Sequence, residues 1–97
     1  MIIEVVEFRV KEGMSEQFIA GTAESKAIFE QAPGFIALEL HHEIEDPLNF
    51  LIHVSWETIQ HHWDMQETPL YPQIRDKVVK FLAEKPKVRH TEIKVKY

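Results

Sequence analysis

Apolar residues recur along the chain with two different periods, and each change of period marks a new element. Ile2 to Val10 (IIEVVEFRV) is rich in β-branched and aromatic residues and ends at Lys11-Glu12-Gly13, which predicts a strand followed by a turn. Ser15 is placed to cap a helix whose apolar side is Phe18, Ile19, Ala23, Ile28 and Phe29. That helix runs to about Ala32, where Pro33-Gly34 stops it. FIALELHHEI and LNFLIHVSW read as two further strands joined by a turn at residues 45–47. From Glu57 to about Ala83 the pattern is helical, with Leu70, Ile74, Val78, Phe81 and Leu82 on one face. Breaks are expected near Thr68-Pro69 and Tyr71-Pro72, because proline lacks an amide donor and disfavours helix in its predecessor. VRHTEIKV closes the chain as a fourth strand. The order βαββαβ predicts an α+β, ferredoxin-like fold with a four-stranded antiparallel sheet, formed by one domain over residues 1–97.

Alternation sorts the strand residues into two faces. If Ile44 pairs with Leu48 across the turn, His42 faces Phe50, Leu40 faces Ile52, Leu38 faces Val54 and Ile36 faces Trp56. With Val6, Phe8 and Val10 these residues form an almost wholly apolar face that must lie under the helices. The other face carries Ile3, Val5, Glu7, Phe35, Ala37, Glu39, His41, Leu51, His53 and Ser55, and no element remains to cover it. A mixed apolar face left open predicts an interface, most economically a two-fold homodimer with sheets packed face to face.

Composition narrows the partners. The formal net charge is −5 without a basic stripe, so a phosphate backbone would be repelled and no nucleic-acid partner is expected. No cysteine is present, which removes disulfides, thiolate nucleophiles and cysteine-based metal sites. The N-terminus has neither a basic leader nor a long apolar run, so neither secretion nor membrane insertion is expected and a cytoplasmic location is the default.

The opening EFRVKEG, the Pro33-Gly34-Phe35 entry into the second strand, WETI at 56–59 and ETPLY at 67–71 occur in an order and spacing that resemble the antibiotic biosynthesis monooxygenase family. The resemblance spans nearly the whole chain and implies a dimeric α+β barrel. Family members that degrade haem use an asparagine on the first strand, a tryptophan in the second helix and an axial histidine beyond it. The corresponding positions here hold Val6, Met65 and Arg75, so haem chemistry is not expected. The cofactor-free branch needs only an apolar slot, a base near a phenolic hydroxyl and exclusion of water. It implies a monooxygenase without cofactor or metal, acting with dioxygen on an aromatic phenol or quinol.

Candidate residues follow from WETIQHHWDMQETPLY. The resemblance places Tyr71 where such enzymes carry a pocket tyrosine and His61 in a region where they carry a polar pocket residue. His61 and Met65 share a helix face at i, i+4 spacing, and an imidazole suits a base at neutral pH. His61 and Tyr71 are the expected catalytic pair, with Trp63 and Met65 as apolar contacts and Arg75 attracting an anionic substrate. His61 and His62 point about 100° apart, so at most one enters a cleft. Trp56 is expected in the core. Two alternatives stand beside this reading. The chain could be a non-catalytic dimeric module for a small ligand, or related to stress. Glu39, His41 and His53, with Glu7 on the same sheet face, could hold a divalent metal, although no HxH or HxxxH spacing supports it and a hydrogen-bonded Glu39–His53 pair is the commoner arrangement of such residues.

Overall fold

A computed structural model describes all of residues 1–97. The elements are β1 (Ile2–Arg9), α1 (Ser15–Phe29), β2 (Phe35–His42), β3 (Asn49–Trp56), α2 (Ile59–Gln66), α3 (Leu70–Val78), a single 3-10 turn (Val79–Phe81) and β4 (Lys87–Glu92). The strands form one antiparallel sheet in the order β2-β3-β1-β4. The molecule is 36 × 35 × 20 Å, and its short dimension is that of one sheet and one helical layer. This is the ferredoxin-like α+β arrangement that the periodicity predicts.

The face under the helices holds Val6, Phe8, Phe50, Ile52, Val54 and Trp56, against Phe18 and Phe29 of α1, Met65 of α2 and Val78 of α3. Phe18 lies between Phe8 and Phe50 with ring centroids 5.2 and 5.0 Å away. The inward side of α1 is more polar than its sequence suggests. Ile19 and Ala23 turn outward, and Thr22 and Ser25 are buried in their place. Each satisfies its hydroxyl on the carbonyl three residues back, at 2.7 Å. Ser15 is the first helical residue and not the cap; Met14 precedes it without a side-chain cap.

Two register expectations are corrected. Trp56 pairs with Phe35, not Ile36, because β2 carries an irregularity between Phe35 and Ala37. The shift turns Phe35 inward, stacked on Phe29 at 5.7 Å and edge-on to Trp56 at 6.0 Å, and leaves Ile36 exposed. At the other end β2 stops at His42, so Ile44 never meets Leu48 and is 96% exposed. Pairings from Leu38–Val54 to His42–Phe50 are as expected.

The helical stretch breaks once, at Glu67–Pro69. Pro72 does not break it. It occupies the first turn of α3, where an amide has no intrahelical acceptor to lose. Helix α3 packs tightly on α1 at Gly21, where an added Cβ would stand 2.1 Å from the carbonyl oxygen of Lys77. No helix is long and apolar enough to cross a membrane.

Candidate active site

Between the sheet and the helices lies a cavity of about 120 Å³. Its floor is Val6 and Phe8 of β1 with Ile52 and Val54 of β3. Met65, Tyr71 and Val78 line the helical side, and the exposed Gln66, Arg75 and Val88 form the rim. Most of the lining is apolar; apart from Ser25 and the rim, the polar groups of its interior are Glu4 and His62, with the Tyr71 hydroxyl on the helical side.

Glu4 is the unexpected residue. Alternation along β1 puts Ile2, Glu4, Val6 and Phe8 on the helix-facing side, so a carboxyl group is threaded into the core and is 7% exposed. Its partners come from three elements. The Trp56 Nε1–H donates to Oε1 at 3.0 Å, and the His62 Nε2 stands 3.3 Å from Oε2. The second nitrogen of His62, Nδ1, is 2.9 Å from Nε2 of His90, which sits directly across from Glu4 on β4. His62 also stacks on Trp56 with centroids 5.6 Å apart. The result is a continuous chain of polar groups, Trp56–Glu4–His62–His90, from the cavity to a half-buried surface histidine.

Burial sets the protonation of this chain. It pushes the Glu4 carboxyl up to about 7, and the Trp56 hydrogen bond only partly opposes it. It pulls His62 down to about 4, with the neighbouring His90 adding to the effect. Near neutrality His62 is therefore an uncharged ring, and Glu4 lies close to its midpoint. His62 Nδ1 is bonded to His90 and Nε2 lies 3.3 Å from Glu4, so both ring nitrogens point along the chain of polar groups. A carboxylate offers about four acceptor positions, so Glu4 can accept one more hydrogen bond from a bound molecule.

The residues expected from sequence divide into two groups. Met65, Tyr71 and Arg75 line the cavity together, and the Arg75 guanidinium lies 5.8 Å from the centroid of the Tyr71 ring. His61 and Trp63 do not line it; the imidazole that does is the adjacent His62. Thr58 fixes the difference by capping α2. Its hydroxyl accepts from the His61 backbone N–H at 3.3 Å and bonds the His61 Nδ1 at 2.9 Å, holding that ring at the helix start. There the ring covers Gly34, whose φ of +83° and lack of a Cβ make room for it; a Cβ would approach within 2.2 Å. Trp63 is 47% exposed. Glu4 and His90 were missed from sequence although alternation carries the signal, since a charged residue at a helix-facing position of a strand needs a buried partner.

The cavity does not suit haem. Its volume is below the roughly 150 Å³ of an engineered cavity that holds benzene, and its only imidazole is bonded to His90 through Nδ1 with Nε2 turned to Glu4.

A family profile described as antibiotic biosynthesis monooxygenase matches residues 1–77. Among solved structures, a putative antibiotic biosynthesis monooxygenase from Bordetella bronchiseptica superposes with a TM-score of 0.93 at 30% identity, covering 97% of each chain. A second from Nitrosomonas europaea gives 0.82 at 23% identity, covering 98% of this chain and 100% of that one. SnoaB, a cofactor-independent oxygenase from Streptomyces nogalater, gives 0.83 at 16% identity, covering 98% and 94%. No curated protein matches the sequence.

Proposed function

The chain belongs to the antibiotic biosynthesis monooxygenase family, and from that premise we propose that it is a cofactor-independent monooxygenase of single-ring phenols or quinols. The observation that carries this reading is a buried carboxyl group lining a largely apolar cavity, where burial pushes its pKa up to about 7. A group titrating near the working pH is the one best matched to take and return a proton. At about 120 Å³ the cavity falls short of the roughly 150 Å³ that holds benzene, so a single ring fits only with part of it at the open rim, and a fused polycycle is excluded.

In this reading the ring lies among Val6, Phe8, Ile52 and Met65 with a hydroxyl on Glu4. Glu4 takes the hydroxyl proton, and Arg75 at the rim favours the resulting anion. The electron-rich ring carbon then adds dioxygen, forming a carbon–oxygen bond. Loss of the ring C–H proton with cleavage of the O–O bond expels hydroxide, which leaves as water with the proton Glu4 holds. A quinol and dioxygen thus become a hydroxyquinone and water. All four electrons that reduce dioxygen come from the substrate, so the balance requires no external reductant. The apolar walls keep water from the carbanion. Tyr71 contributes a hydroxyl contact, and His62 positions Glu4 and links it to His90 and solvent.

The reading also includes a second copy of the chain over the open sheet face. It is supported by the apolar Ile3 and Leu51 on that face and by the exposed Ile93 and Val95 beyond β4. Ile2 already pairs with Glu92, so residues past 92 have no partner strand within their own sheet.

Oxygen uptake with a series of one-ring hydroquinones and with a fused anthrone, without added cofactor, tests the proposal. Uptake with one-ring quinols, lowered about a hundred- to ten-thousandfold in Glu4→Gln, is the expected result. Quinols that bind in the cavity without any uptake would make the chain a binding module. Uptake unaltered in Glu4→Gln would remove the base.

A further inference from the structure

On the sheet face away from the cavity, Glu39 and His41 of β2 and His53 of β3 each direct a donor atom to one point, and the three atoms lie within 4.8 Å of one another. The strand geometry produces this grouping. Glu39 and His41 are two residues apart, so they project on the same side, and Glu39 is the direct cross-strand partner of His53. The expected Glu39–His53 hydrogen bond is not formed. Glu39 Oε1 meets His41 Nε2 at 3.1 Å, and the rings of His41 and His53 face each other with centroids 4.4 Å apart. Two imidazoles so close would repel if both were protonated, and His53 has no side-chain hydrogen bond to hold it.

We propose that Glu39, His41 and His53 form a site for a divalent first-row transition-metal ion, of which zinc is the natural probe. Two imidazoles and one carboxylate are a donor set that zinc takes with a fourth position left open. Bond lengths of about 2.0–2.2 Å around zinc bring tetrahedral donors to about 3.4 Å apart. Small χ rotations of these partly exposed side chains supply the closure from the present spread. The electrostatics favour a cation. Neither β2 nor β3 contains a lysine or arginine to compete for Glu39, and Glu43 and Glu45 follow in the next turn. Glu7 on the same face is already engaged by Arg89 at 3.7 Å and stands one strand further away. The site is independent of the cavity, which opens on the opposite side of the sheet.

Calorimetric titration of zinc into chelator-treated full-length protein, with ring-nitrogen NMR of the histidines, is the test. One zinc per chain with micromolar or tighter affinity is expected, with ring resonances of His41 and His53 shifting and those of His62 and His90 unmoved. Losing a group that merely orients a ligand weakens a metal site about ten- to a hundredfold. His41→Gln and His53→Gln should each exceed that, and Glu39→Gln should weaken binding as well. His42→Gln, on the helix side of the same strand, serves as the control and should leave binding unchanged; the far-ultraviolet circular dichroism of each variant checks folding. Zinc binding that is only millimolar, that survives His53→Gln, or that shifts His61, His62 or His90 instead would overturn the site.

Discussion

At the residue scale the molecule turns on one side chain, Glu4, whose burial creates both the base of the proposed reaction and a stability problem. In the fold Glu4 holds a proton up to about pH 7, whereas an unfolded glutamate releases it near 4.5. Over that window the folded state binds the extra proton, so this term lowers stability as pH rises. His62 works in the opposite sense. Unfolded, it is protonated below 6.5; folded, it stays neutral down to about 4, so its term lowers stability as pH falls. Between roughly 4.5 and 6.5 the pair holds one proton in either state, on Glu4 when folded and on histidine when unfolded, and the two slopes cancel. Single variants should expose them. In Glu4→Gln, denaturant-measured stability should rise with pH over that range with a slope of about one proton; in His62→Gln it should fall with a similar slope. A flat profile in both variants would place the charges elsewhere. Catalysis should follow the same group, with quinol turnover rising through pH 7 as Glu4 ionises. The pair was only half legible in sequence. A histidine pointing inward from the WETIQHHWDM segment could be anticipated, but choosing between His61 and His62 required the Thr58 cap, which sets the phase of α2 through two hydrogen bonds to His61.

At the scale of elements, hydrophobic period placed every strand and helix, and the errors lie where a local backbone event overrides the period. The irregularity after Phe35 moves one aromatic from the outer to the inner face, and no pattern of apolar residues distinguishes Phe35 from Ile36 as the inward one. Pro72 looked like a break because it follows a tyrosine in a helical stretch, yet a helix started only two residues earlier tolerates it. Gly21 carries the reverse lesson. Glycine inside a helix costs about 1 kcal/mol relative to alanine, so the sequence alone recommends Gly21→Ala as stabilising. The Lys77 carbonyl 2.1 Å from the added methyl is backbone and cannot rotate away, so α1 and α3 would have to separate. Gly21→Ala should therefore destabilise by about 1–3 kcal/mol in urea unfolding. Because α3 carries Tyr71, Ile74 and Arg75, the separation should also weaken ligand binding in the cavity. A more stable Gly21→Ala protein would show that the helices approach less closely than described.

For the whole molecule, the two sides of the sheet pose different problems. One is closed by helices and keeps a cavity; the other leaves Ile3 and Leu51 only half-buried, with no covering layer in the chain. Sequence alternation made that asymmetry visible before any coordinates, because it needs only the count of strands and helices. It could not reveal the cavity, which depends on how far α2 and α3 stand from the sheet after the turn at Glu67–Pro69. A second copy over the open face, as proposed, would remove the apolar area from water and give the residues after Glu92 a strand to pair with. The reading predicts a dimer in sedimentation at micromolar concentration. Leu51→Lys places a charge on the central strand β3, beside Glu7 and His41, whose partners are already Arg89 and Glu39. In a closed interface the new ammonium would lose its water with only Glu7, already shared with Arg89, to offset it, and burying a charge so weakly compensated is costly. The dimer dissociation constant should rise at least about tenfold. Leu51 does not line the cavity, so the monomer should keep its fold and whatever quinol binding the parent chain has. If Leu51→Lys associates as tightly as the parent chain, the sheet face is not where the copies meet.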